Sequence, residues 1–318
     1  MNENDLKRLA DRLGAKRPDV QRLLAVAARS ADGARIARSV LRAELRRAGL
    51  DPDDDDPFAV ASTAYDLGGE GVKIGMLSNG GVLVWRHGEI AYSGIWVGSP
   101  GGGKTNSVLD QSVQLSEHYT IVVPDVRGDY EPLVRIIPDA RFFSFGEFPI
   151  NLLRGPSRAP QAVFNQRFAE VFTDMFDLFQ ASRRYLNMVL DTLEAKRVEA
   201  CHWPCLLDLK DELEDRREER GSSEQEFRNR CLARVDAICR ALGEKAVGVE
   251  QGIDLESLIE QRTVLIFRME LERSIQDFLT NWLLMFIFTH RAFAEDKFNQ
   301  RPLIFVLDEQ RSLLRTRR

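Results

Sequence analysis

The residues best suited to chemistry are consecutive: Gly98-Ser99-Pro100-Gly101-Gly102-Gly103-Lys104-Thr105 fits the spacing G-x-x-x-x-G-K-[ST] in full. Glycines at those positions let a backbone wrap closely around phosphate oxygens, with its N–H groups aimed inward at the positive end of a helix. Lys104 is then expected to set its ammonium on the β- and γ-phosphates of ATP, and the Thr105 hydroxyl to complete the shell of a Mg2+ ion. Asn106, which opens the helical run reaching Leu115, joins the nucleotide-contacting set. The other half of such a site should be a carboxylate at the tip of a buried strand. Leu303-Ile304-Phe305-Val306-Leu307 followed by Asp308-Glu309 has that form. Asp308 is assigned to the metal and Glu309 to the general base that polarises the attacking water.

Those groups need a scaffold. Ile95-Trp96-Val97 is expected to be a short buried strand feeding the glycine loop, preceded by a hairpin of Val82–Trp85 and Glu89–Tyr92 turning at Arg86-His87-Gly88. Further strands are expected at Thr120–Val123, Arg141–Phe145 and Thr263–Phe267, and a long helical stretch from about Ala162 to Lys196. The charged stretch Lys210–Arg230 is a solvated helix or a mobile insertion, and Trp282–Phe288 is a buried helix. Strands and helices alternate, which predicts an α/β fold with a mostly parallel sheet covered on both faces. Residues 1–50 predict two or three amphipathic helices, with Leu6, Leu9, Leu13, Ile36, Val40, Leu41 and Leu45 at helical spacing. The expected organisation is a basic helical segment and acidic linker over 1–56, a hairpin-containing lead-in over 57–93, and an ATPase core over 94–318. That core carries a helical insertion at about 160–250.

Composition narrows the classes. The chain has 318 residues, 44% of them hydrophobic and 29% charged, which excludes collagen-like, disulfide-scaffold and wholly disordered proteins. Its 44 Lys and Arg against 49 Asp and Glu give a net charge of −5, so a nucleic-acid partner would have to meet a local patch. Residues 1–50 hold twelve Lys and Arg against six Asp and Glu, as either a solvated helix face or a contact with DNA, membrane or a subunit. The apolar run 282–288 falls far short of the roughly 20 residues of a membrane span, and nothing N-terminal reads as a secretory signal. The expectation is a cytoplasmic protein with reduced thiols and no membrane contact. Cys201-His202-Trp203-Pro204-Cys205 lacks zinc-site spacing. Phe164, Phe168, Phe172, Phe176 and Phe179 read as a buried helix face rather than a base-stacking platform.

Val123-Pro124-Asp125-Val126-Arg127-Gly128-Asp129-Tyr130 resembles the Asp-x-[Lys/His]-Gly-Glu-Tyr stretch of the HerA/FtsK superfamily, and Pro149–Leu153 resembles the Ile-Asn-Pro-Leu that follows it. The order of later elements, through Trp203–Leu209, Gly252–Leu258 and the Thr263 strand to Asp308, is similar to HerA-type and type IV secretion coupling ATPases. The resemblance covers about residues 95–315. It implies a RecA-like core, assembly as a homo-oligomer that is usually a hexameric ring, and ATP hydrolysis coupled to movement of DNA. Under that resemblance Asp125 is an accessory site residue that binds metal-bound water or sets a pore-facing loop. Capping or turn formation by Asp125 and Asp129 is the alternative. Arg127, Arg183 and Arg184 are available as arginine fingers, and no motif singles one out.

The pattern also departs from the family. The N-terminal β-barrel of HerA proteins and the membrane spans of coupling proteins are not read here. The chain ends nine residues beyond Glu309, where the superfamily has a further strand with a polar sensor, so it is expected to be truncated, a fragment or one half of a split protein. On that expectation the isolated chain binds Mg-ATP weakly and turns it over poorly. The competing reading is a nucleotide-dependent assembly module that docks a partner such as a nuclease.

Overall fold

The computed structural model describes residues 3–53, 70–76, 82–90, 94, 96, 97, 99, 101–217, 221–261, 264–295 and 301–308. The chain divides into two compact units, Met1–Gln114 and Leu115–Arg318.

The N-terminal unit opens with α1 (Glu3–Leu13), α2 (Pro18–Ala27) and α3 (Ala31–Arg47). Pro18 starts α2, where its missing N–H costs nothing, and the Ser30 hydroxyl caps α3 by accepting from Gly33 N at 3.0 Å. Leu9, Leu13, Val20, Leu41 and Leu45 fill the core among the three helices. Ile36 and Val40, expected inside, are 55% and 37% exposed. The inward stripe of α3 instead runs through Ala34, Ala37, Leu41 and Leu45 at spacings of three and four, which turns positions 36 and 40 to its flank. The first acidic residues after α3 are held down: Arg12 donates to the Asp51 carbonyl at 2.9 Å and Arg42 pairs with Asp53.

The hairpin uses a different partner from the expected one. Strand β1 (Gly71–Met76) pairs antiparallel with β2 (Val82–Arg86), with an irregularity between Lys73 and Gly75, and His87–Ile90 forms the short helix α4 rather than a turn into a second strand. The Lys73 N–H donates to Gln114 Oε1 at 2.8 Å, tying β1 to α5 (Lys104–Leu115). The strand expected at 95–97 is also corrected. Trp96 and Val97 are 37% and 89% exposed and lie in no strand, and the Trp96 ring packs edge-on against Trp85 of β2 at 5.7 Å. Three apolar residues do not make a strand without a ladder to join, and the ladder described in this unit is β1 with β2.

The C-terminal unit is a parallel four-stranded sheet of order β4-β5-β3-β6. Its strands are β3 (Thr120–Asp125), β4 (Arg141–Ser144), β5 (Val264–Arg268) and β6 (Leu303–Phe305). β3 is buried throughout, as a central strand covered on both faces must be. The short helix α6 (Leu133–Ile136) lies between β3 and β4. Five helices separate β4 from the later elements: α7 (Gln161–Met175), α8 (Gln180–Ala200), α9 (Leu206–Asp215), α10 (Ser223–Leu242) and α11 (Glu244–Val247). α12 (Leu255–Glu260) precedes β5, and α13 (Arg273–Ala292) carries the apolar run. Trp282 of α13 is fully buried, and its indole N–H donates to the Leu152 carbonyl at 2.9 Å. Among the described residues no helix is long and apolar enough to cross a membrane.

The helical stretch expected over 162–196 is built of two helices, α7 and α8. α7 stops at Phe176, Asp177 takes a left-handed φ of 53°, and Leu178 N returns to the Thr173 carbonyl at 2.8 Å. This is a C-terminal stop in which aspartate does what glycine usually does. The break splits the phenylalanine series. Phe164, Phe168, Phe172 and Phe176 are core, whereas Phe179 is 61% exposed under the Arg230 guanidinium. Cys205 caps α9, with its N–H donating to Asp208 at 2.7 Å, and burial pushes the thiols of Cys205 and Cys231 up to about 11 and about 12. Among the described residues no three potential ligands cluster around a metal position.

One packed carboxylate predicts an acid response. Glu256 of α12 accepts from the Ser157 N–H and hydroxyl, both at 2.7 Å, and faces His290 Nδ1 of α13 at 3.4 Å. Glu260 lies 3.4 Å from the other imidazole nitrogen. Burial raises the Glu256 pKa, but the neighbouring His290 imidazole and the hydrogen bonds from Ser157 outweigh it and bring it from 4.5 down to about 2. A carboxylate depressed on folding stabilises the fold above its unfolded pKa, and this stabilisation is lost as pH falls from 4.5 through about 2. Glu256→Gln should flatten the stability profile in that window, removing about 1–2 kcal/mol of pH dependence once solvent screening is allowed for. Urea midpoints measured across the window check this; an unchanged slope contradicts it.

Candidate functional site

The glycine loop lies in the N-terminal unit, immediately before α5. Gly101 and Gly103 take φ of 76° and 78°, left-handed values that side chains strain to adopt, and a Cβ added at either would meet nothing within 4 Å. Gly102 N donates to the Ser99 carbonyl at 3.0 Å, which closes the turn. Lys104 opens α5 and folds back over the loop, its Nζ donating to the same Ser99 carbonyl at 2.9 Å. Ser107 returns both its N–H and its hydroxyl to the Gly103 carbonyl, securing the first turn. The result is a run of three glycines at the positive end of a 12-residue helix, with an ammonium folded across the turn. Open space lies where Cβ atoms would stand at Gly101 and Gly103, which is what close approach of a polyphosphate to the backbone would require. Thr105 and Asn106 follow in the first turn. Gly98 and Pro100 lie outside the described residues.

The acidic residues lie in the C-terminal unit, at the carboxyl end of its sheet, where ligands of open parallel sheets bind. β3 and β6 run side by side, with Thr120 opposite Leu303 and Val122 opposite Phe305, and Val306 N extends the ladder to the Val122 carbonyl at 2.9 Å. Asp125 therefore ends β3 on the same side of the sheet as Asp308, just past β6. Glu309 lies outside the described residues.

Asp125 is 1% exposed and fully engaged. Its Oδ1 accepts from the N–H groups of Arg127 at 3.3 Å, Gly128 at 2.8 Å and Asp129 at 3.2 Å, and its Oδ2 from Tyr130 N at 3.1 Å. Four backbone donors on one carboxylate make a tight turn, so the turn-forming alternative for Asp125 is the one these contacts describe. Asp129 is exposed and contributes its N–H to that turn.

Tyr130 is the residue that sequence reasoning passed over. It is 1% exposed, and its hydroxyl donates to Asp308 Oδ2 at 3.3 Å. Burial first, then the Asp308 and Asp125 charges, push the phenol far above its ordinary value, so it stays a donor. The available signal was the five-residue step from a strand-ending aspartate across Gly128 to an aromatic hydroxyl, but its partner is 178 residues away in sequence.

No family model matches the chain, and no curated protein matches it. Among solved structures it is similar to VirB4 of Thermoanaerobacter pseudethanolicus, with a TM-score of 0.52 and 16% identity over 76% of this chain and 68% of that one. At that identity the likeness shows the fold alone: a helix-rich α/β chain with a parallel four-stranded sheet, consistent with a RecA-like P-loop fold.

Proposed function

We propose that this chain binds and hydrolyses Mg-ATP as a motor subunit for DNA translocation, in DNA processing, conjugation or defence. It works as a homo-oligomer, a hexameric ring by family resemblance, and couples the reaction to movement of DNA. The observation that carries the reading is the glycine loop: left-handed backbone at Gly101 and Gly103, the helix start at Lys104, and the ammonium folded across the turn. The likeness in fold to VirB4 supports the same reading independently of the motif.

In this account the loop N–H groups and Lys104 hold the β- and γ-phosphates and draw off the charge that builds on them as the γ-phosphoryl leaves. Thr105 and Asp308 are the residues that would hold Mg2+, which when bound supplies further neutralising charge to the phosphates. Glu309 orients the attacking water and takes its proton. The helix dipole of α5 adds fixed positive potential without reorganisation during the reaction.

The test is phosphate release by the purified chain with and without duplex DNA, across a salt series. DNA should stimulate turnover, and the stimulation should fall steeply with salt, because contacts to phosphate release counterions. Stimulation by a protein partner alone would assign the chain to the assembly-module reading instead.

A further inference from the structure

We propose that Tyr130 is a positioning residue for the Asp308 carboxylate, anchored in turn by the Asp125 turn. The inference rests on the nucleotide reading, since it gives Asp308 its task.

Asp308 lies just past a strand of three residues whose ladder, among the described residues, runs to β3. Tyr130 supplies a fixed point. Its ring is buried, its N–H is held by Asp125 Oδ2, and its hydroxyl meets Asp308 Oδ2. A phenol has one hydrogen to give, and an ionised carboxylate only accepts, so the donor direction is set. Engaging Oδ2 orients the carboxylate plane and leaves the Oδ1 lone pairs outside that bond. The stretch from Asp125 to Tyr130 thus acts as a bracket: one aspartate gathers four N–H groups so that a tyrosine can steady another aspartate just past the neighbouring strand. Asp125 and Tyr130 need touch neither phosphate nor metal to affect how Asp308 meets the ion.

The experiment is a titration of a fluorescent ATP analogue against the full chain, over a range of Mg2+ and separately in EDTA. Tyr130→Phe removes one oxygen and keeps the ring. It should raise the Mg2+ concentration giving half-maximal binding about tenfold or more, the loss of one hydrogen bond to a charged group, while binding in EDTA is unchanged. Added to Asp308→Asn, the same change should have no further effect. An unaltered Mg2+ requirement in Tyr130→Phe, or an equal shift in the Asp308→Asn background, overturns the inference alone. Absence of analogue binding by the parent, or binding indifferent to Lys104→Ala, overturns the nucleotide reading and this inference together.

Discussion

Lys104→Ala should lower ATP turnover by about 100-fold to 1,000-fold, the usual consequence of removing one preorganised group that stabilises transition-state charge. The ammonium is the one side-chain cation in the loop, and its neighbours from Gly101 to Gly103 contribute backbone alone. Folding should be little affected, because the Lys104 hydrogen bond to the Ser99 carbonyl is at the surface. Circular dichroism and the urea midpoint are therefore the controls, and phosphate release is the readout. Equal turnover in the variant and the parent would remove Lys104 from the chemistry.

The second large effect is on stability. Asp125→Ala deprives four backbone N–H groups of their acceptor at once, and that of Tyr130 is buried. Leaving buried donors unmatched costs about 1–3 kcal/mol each, reduced where water can reach them, so a total loss of about 3–4 kcal/mol is expected. It should be seen in urea unfolding without nucleotide or Mg2+. A metal-binding role for Asp125 predicts the opposite pattern: a near-normal urea midpoint, with the defect confined to the Mg2+ dependence of nucleotide binding.

Legibility in the sequence followed the range of the interactions. The glycine loop was readable because its chemistry is local: eight consecutive residues specify a turn and a helix start. β3, β5 and β6 were readable because strands buried on both faces need unbroken apolar runs, and Ile121–Val123, Val264–Phe267 and Leu303–Phe305 supply them. The misplaced hairpin has a physical cause. Gly71-Val72-Lys73-Ile74-Gly75-Met76 is interrupted by glycine and holds Ile74 44% exposed, so β1 lacks the clean alternation that marks a strand. Asp177 ended a helix where sequence offered no glycine or proline to announce it. The role of Asp125 was ambiguous because a carboxylate at a strand tip serves a turn and a metal equally well, and only its four N–H contacts distinguish them. The bond from Tyr130 to Asp308 joins segments that become neighbours only once β3 and β6 pair.

The Gly101–Thr105 turn is expected to grip a nucleoside triphosphate, and calorimetric titration of the full chain with ATP, in Mg2+ and again in EDTA, tests this without reference to DNA, partners or turnover. Saturable binding strengthened by Mg2+ and abolished in Lys104→Ala is the predicted result. No heat of binding in the parent, or an isotherm that Lys104→Ala leaves intact, would contradict it.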